Sequence, residues 1–292
     1  MVGSMTRRAG LVALTGSVLS ACSPLSLFAT LTPKDAARAR ERGVAYGPLA
    51  RQTLDVYAPP KAAKRETGPA PVAVFFYGGS WDSGRRQDYG WVGRALAAQG
   101  FLTLVPDYRL YPAVRYPSFV EDGALAVRWA VDHARALGGD PGRMVLIGHS
   151  AGAYNAAMLA LDNVYLKAAG VDPKVVRAFA GLSGPYDFLP LDGPVTQRTF
   201  GDFPDLPATQ PAAYARADSP PAFLATGDGD TTVRPRNTRA LAAALRAKGV
   251  AVEERHYAGL KHADTVLALS RPFRGKAPVL TEMTAFLKAR TT

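Results

Sequence analysis

The sequence predicts an α/β fold: one mostly parallel central sheet of about eight strands, helices on both of its faces, and a short cap segment. Three observations carry this. Continuously apolar runs such as "PVAVFFY", "FLTLVPDY", "RMVLIG", "VVRAFAGLS" and "PAFLATG" are bounded by turn residues, as strands buried on both faces require. Between them lie longer stretches with helical spacing, and that alternation is the pattern of βαβ units. With 292 residues and 48% hydrophobic composition, the chain can bury one large core.

Taken in order, residues 1–21 read as an export signal. A pair of arginines precedes a short apolar stretch and then small residues, and the stretch is too short to cross a bilayer as a mature helix. "LSAC" at 19–22 resembles the lipobox of bacterial lipoproteins. The resemblance implies cleavage before Cys22, acylation of its thiol, and a lipid anchor that holds the exported protein at a membrane of the cell envelope. "TRRAGL" also matches the twin-arginine export signal loosely.

Residues 22–50 are expected to be a tether and a first helix in "TPKDAARARERG", and the α/β domain to run over 51–292. "RQTLDVYAPP" reads as an edge strand ended by prolines, followed by a polar loop, "KAAKRETGPA". Strand "PVAVFFY", helix "YGWVGRALAAQG", strand "FLTLVPDY", helix "SFVEDGALAVRWAVDHARALGG", strand "RMVLIG" and helix "AGAYNAAMLALD" follow. The second half repeats the rhythm with "VVRAFAGLS", "PAFLATG", the helix "RPRNTRALAAALRAKG", the strand "VAVEERHYAG" and the helix "PVLTEMTAFLKAR". Residues 186–220 are rich in proline and aspartate and lack period, as a short cap over the strands' C-terminal ends would.

The formal charge of +11 does not point to nucleic acid, because the 35 Lys and Arg are spread along the chain with no aromatic-interleaved basic stripe. A single cysteine, Cys22, excludes internal disulfides and multi-cysteine metal sites. Neither a cofactor nor a metal is called for.

In "VLIGHSAGAYNAAM", residues 145–158, a serine stands between two glycines where an apolar strand gives way to a helical pattern. A strand that reverses into a helix within a residue or two has no room for side chains at the bend, which Gly148 and Gly152 satisfy. Ser150 at the apex is placed to attack a substrate, with the Ala151 amide facing the same space.

A serine hydroxyl needs a base, and only four histidines exist. His133 falls inside a long amphipathic helix and His149 points away from Ser150 as a packing or hydrogen-bonding residue. His256 is committed to a strand face, whereas His262, in the loop "AGLKHADT", can swing over the sheet's end. The orienting acid belongs between Ser150 and His262. In "DGDTTV", Asp230 fits that role, Asp228 is expected to shape the turn through side-chain to backbone bonds, and Asp187 is a third choice.

Attack on a carbonyl also needs amides that receive negative charge, and "FFYGGSW" at 75–81 offers two glycines at the end of a strand. With "PDYRLYPAVRYPSFVEDGALAVRW" at 106–129, these ordered motifs resemble the α/β-hydrolase superfamily over roughly residues 50–290, and within it the hormone-sensitive-lipase-like and acetyl-esterase or arylformamidase-like carboxylesterases. The family's HGGG motif has Tyr77 in place of its histidine and Ser80 in place of its third glycine. Carried over by position, the resemblance implies an oxyanion hole from Gly79, Ser80 and Ala151, and a serine esterase cleaving a small-molecule ester through an acyl-enzyme. An arylformamidase-like amide hydrolase and an inactive envelope lipoprotein that binds a ligand are the alternatives. Trp81, Tyr154 and Tyr186 are expected to crowd the pocket and restrict it to short acyl chains, and Tyr77, also placed at the pocket, to brace the loop by packing and hydrogen bonding.

Overall fold

The computed structural model describes residues 24–60 and 68–292; the expected export signal and Cys22 lie outside them. An eight-stranded sheet runs through the molecule in the order β1-β2-β4-β3-β5-β6-β7-β8. The strands are β1 (Arg38–Ala45), β2 (Thr53–Ala58), β3 (Ala70–Phe76), β4 (Leu102–Pro106), β5 (Gly139–His149), β6 (Val176–Leu182), β7 (Ala222–Gly227) and β8 (Val252–Tyr257). Both pairings of β2 are antiparallel and the five from β4 to β8 are parallel. Seven of the eight strands, all but β2, therefore point the same way, and their C-terminal ends share one rim, where open α/β sheets bind ligands.

The helices are α1 (Pro24–Leu31), α2 (Gly90–Ala98), α3 (Ser118–His133), α4 (Ala151–Leu161), α5 (Asn163–Ala168), α6 (Pro194–Phe200), α7 (Arg236–Ala247), α8 (Asp264–Leu267) and α9 (Val279–Lys288). Every residue of β4 and β7 is buried, so helices must cover both faces there. The two edge strands differ in kind. β1 ("RARERGVA") and β8 ("VEERHY") carry rows of charge and are mostly exposed or half-buried, which discourages pairing with another chain's edge.

Two expectations at the N-terminus fail. The helix expected in "TPKDAARARERG" is instead strand β1, paired with β2 from Arg38↔Ala58 to Ala45↔Thr53, so β2 is an inner strand rather than the edge. The physical reason is tertiary: without β1, one side of β2 would leave its backbone polar groups unpaired, and that pairing outweighs the helix propensity of Ala, Arg and Glu. The only helix of this segment among the described residues is α1, and it docks on the domain. Phe28 meets Trp91 edge-on at 5.4 Å and stacks on Phe273 at 5.9 Å, and the Ser26 hydroxyl donates to Asp88 at 2.8 Å.

Helix α4 positions the site. All eleven of its residues are buried, and its small side chains let it lie close against β5 and β6. A Cβ on Gly148 would strike the Gly152 backbone across the strand-to-helix turn, and one on Gly152 would strike the Phe76 and Tyr77 carbonyls at the end of β3, so both places need glycine.

Candidate active site

Ser150 sits between β5 and α4 with φ 54° and ψ −125°, a strained left-handed conformation for a residue with a side chain. Its amide donates to the Leu182 carbonyl of β6 at 2.9 Å, which ties the turn to the neighbouring strand. The hydroxyl lies 2.8 Å from His262 Nε2, and His262 Nδ1 lies 2.8 Å from Asp230 Oδ2. With Nδ1–H donating to the carboxylate, Nε2 is left free to accept the serine proton.

Each partner is held from behind. Asp230 Oδ1 accepts the amides of Thr232 at 3.0 Å and Val233 at 2.9 Å, so the acid forms its own turn. Burial works against ionisation of this carboxyl, but the His262 hydrogen bond and charge, the Val233 amide and the Ser183 hydroxyl outweigh it and hold it below the ordinary carboxylate range. The His262 carbonyl accepts from His149 Nε2 at 3.1 Å and from the Thr265 hydroxyl at 3.2 Å, which fixes the loop that carries the imidazole. Burial, and then the neighbouring His262, push His149 down to about 3, so this ring is neutral at physiological pH.

The other histidines stand apart as expected. His133 is exposed and stacks on Trp129 at 4.2 Å, and His256 bonds Glu254 at 2.7 Å. Asp228 departs from expectation: its carboxylate lies 3.5 Å from His256 Nδ1, and the bonds that shape the turn belong to Asp230.

A cavity of about 360 Å³ opens over Ser150, with Ser80, Trp81 and Ala151 on its wall. Ser80 and Trp81 are consecutive left-handed residues at φ 56° and 57°, and such strain persists only where the surroundings enforce it. They do: Trp81 Nε1 donates to Asn155 on α4 at 3.2 Å, and the Trp81 carbonyl accepts the Tyr111 amide at 2.8 Å. Gly79 is the third amide that the resemblance implies. It is not on the cavity wall, and its carbonyl turns back to accept the amides of Asp82 and Ser83, both at 3.0 Å.

Of the four rings expected around the pocket, Trp81 alone lines it; Tyr77, Tyr154 and Tyr186 are fully buried behind it. Counting one helical turn from Ser150 brings Tyr154 to the pocket only if Ser150 is itself helical. It is not, and the ring turns into a cluster with Trp81 and Phe200, its hydroxyl donating to the Thr209 carbonyl at 2.8 Å. Tyr186 fills space left by Gly181 and Gly184, where any Cβ would strike its ring or hydroxyl. Tyr77 is stacked between Tyr89 at 5.3 Å and Tyr108 at 4.7 Å, accepts from Arg51 and donates to Asp107, both at 2.8 Å. Phe188 supplies the second aromatic wall, which sequence reasoning misses. It misses Ser183, Thr265 and the wall segment 231–237 as well, since spacing carries no signal for them.

The fold and this serine, histidine and aspartate arrangement define the α/β-hydrolase class. Residues 54–245 match the BD-FAE family, and the chain belongs to it. Among curated relatives, it is 31% identical over 264 residues to carboxylesterase NlhH of Mycobacterium tuberculosis, covering 82% of this chain and 79% of that one. It is 30% identical over 255 residues to isoprenylcysteine alpha-carbonyl methylesterase ICME of Arabidopsis thaliana, covering 80% and 58%. The chain spans only 52%, 60% and 58% of the length of three such plant relatives. In fold it is similar to esterase B from Lactobacillus rhamnosis, with a TM-score of 0.78 at 22% identity over 91% of this chain and 90% of that one.

Proposed function

We propose that this chain is a serine carboxylester hydrolase that cleaves short-chain acyl esters. The observation that carries the reading is the unbroken contact from Asp230 through His262 to Ser150, 2.8 Å at each step, beneath a cavity walled by Ser80 and Ala151. Relatives named carboxylesterase and methylesterase support it.

In this mechanism His262 takes the Ser150 proton as Oγ attacks the ester carbonyl, and Asp230 stabilises the imidazolium that forms. The amides of Ser80 and Ala151 receive the developing oxyanion. His262 then gives its proton to the departing alcohol, leaving an acyl-enzyme on Ser150. Water, activated by the same imidazole, releases the acid and restores the hydroxyl. Trp81 and Phe188 bound the cavity, so efficiency is expected to rise from acetyl to butyryl, by up to about 0.8 kcal/mol per buried methylene, and to fall beyond. Kinetics on p-nitrophenyl esters of increasing chain length, with formyl amides alongside, test this. A peak at decanoyl or longer contradicts the short-chain reading, and preference for the formyl amides contradicts the esterase.

The leader supports export and anchoring through a lipid on Cys22, which would place the enzyme at the cell envelope. Intact mass of the protein extracted from membranes is expected to carry a lipid increment that Cys22→Ser abolishes. A wild-type protein recovered soluble and unmodified would contradict the anchor.

A further inference from the structure

The cavity over Ser150 is chemically two-sided. One side is apolar, from Trp81, Phe188, Pro194 and Val195. The other is the segment 231–237, which follows Asp230 directly and contributes Thr231, Thr232, Arg234 and Arg236, all solvent-exposed, to the wall. Among the described residues neither guanidinium has a hydrogen bond or ion pair, and neither threonine hydroxyl is engaged. The arginines elsewhere around the cap are committed: Arg198 to Asp82, Arg115 to Asp202, and Arg216 to Asp218. Asp192 is the one carboxylate on the cavity wall, and it pairs with neither arginine.

The backbone under these two cations is fixed. Asn237, buried at the start of α7, accepts the amides of Tyr186 and Asp187 at 2.9 Å each and donates to the Arg234 carbonyl at 3.3 Å. Two cations on a pinned segment, with two free hydroxyls beside them, make a surface suited to a carboxylate, since guanidinium pairs with it through two parallel hydrogen bonds. The segment continues directly from the turn that holds Asp230 and joins the wall of the same cavity that opens over Ser150.

We propose that Arg234 and Arg236 form an anion subsite of the catalytic cavity, and that the preferred substrates are esters whose alcohol part carries a carboxylate. The proposal rests on Ser150 as the nucleophile, and its test separates the two. Catalytic efficiency toward the anionic ester 4-carboxyphenyl acetate is divided by that toward neutral phenyl acetate for the wild type, for Arg234→Gln/Arg236→Gln, and for Arg239→Gln, an exposed arginine of the same helix outside the cavity wall. The ratio is expected to fall about tenfold in the double variant and to hold in Arg239→Gln, which would attribute the effect to the subsite rather than to the protein's overall positive charge. An equal fall in Arg239→Gln, or an unchanged ratio in the double variant, overturns the subsite. Calorimetric binding of 4-hydroxybenzoate to the same proteins reads the subsite without turnover: weaker binding to the double variant alone supports it, and equal binding overturns it even if the esterase reading itself fails.

Discussion

Two structures face each other across Ser150 and are held in opposite ways. The serine, histidine and aspartate are side chains from three separate connections at the sheet's rim, joined by two 2.8 Å hydrogen bonds. The loop at 77–81 is held from beneath by a buried charge network. Arg86 pairs with Asp107 and with Asp55, the latter at 2.9 Å, Asp107 accepts the Tyr77 hydroxyl, and the Tyr108 hydroxyl donates to the Tyr77 carbonyl at 2.7 Å. In the proposed mechanism the first arrangement carries the chemistry. The network beneath the second keeps its strained backbone in place. Rate and stability should therefore respond to different residues.

The largest effect is expected from Asp230→Asn. The amide still fills the turn and accepts from Thr232 and Val233, but it no longer stabilises the imidazolium, so kcat should fall by about four orders of magnitude with little change in unfolding midpoint. A rate loss of less than tenfold would show that His262 does not depend on this carboxylate. Next comes Arg86→Gln, which removes a mostly buried cation from between Asp55 and Asp107 and should cost about 3–5 kcal/mol in urea unfolding, with a far smaller loss of kcat than Asp230→Asn. A stable but inactive variant would mean that the loop's network enters the chemistry directly.

The smallest effect concerns His149, which touches both regions. Its ring bonds the His262 carbonyl, and a Cβ on Gly78 of the opposite loop would come within 3.0 Å of its Nδ1. Because this ring stays neutral down to about 3, the unfolded chain binds a proton below its ordinary pKa of about 6.5 that the folded chain refuses. Stability then rises with pH across that window. Between about pH 7.5 and pH 5.0 the wild type should lose about 2 kcal/mol more than His149→Gln, whose amide can still donate to the His262 carbonyl. Parallel unfolding curves for the two proteins at both pH values would refute a neutral, buried His149.

The same contrast explains what was legible in the sequence. Ser150, His262 and Asp230 could be read because each needs a particular side chain, in a particular chain order, at a strand end. The parallel strands could be read because burial on both faces leaves continuous apolar runs. Strand β1 could not, since Ala, Arg and Glu favour a helix until β2 offers an open edge. Nor could the fate of the rings: Tyr154 and Tyr186 sit near Ser150 in sequence or at the same rim, yet whether they face the cavity depends on Phe200, Gly181 and Gly184. Arg51, Arg86 and Asp107, which brace Tyr77, are spread over three segments with no spacing to connect them.

The central claim is that Ser150 is the nucleophile that carries the acyl group. Intact-mass and peptide mass spectrometry after treatment with a fluorophosphonate test it most directly. One adduct per chain, on Ser150, formed by the wild type and absent from both Ser150→Ala and His262→Ala, is the predicted result, in step with loss of esterase activity. An adduct on another residue, or esterase turnover that survives in Ser150→Ala, would contradict it.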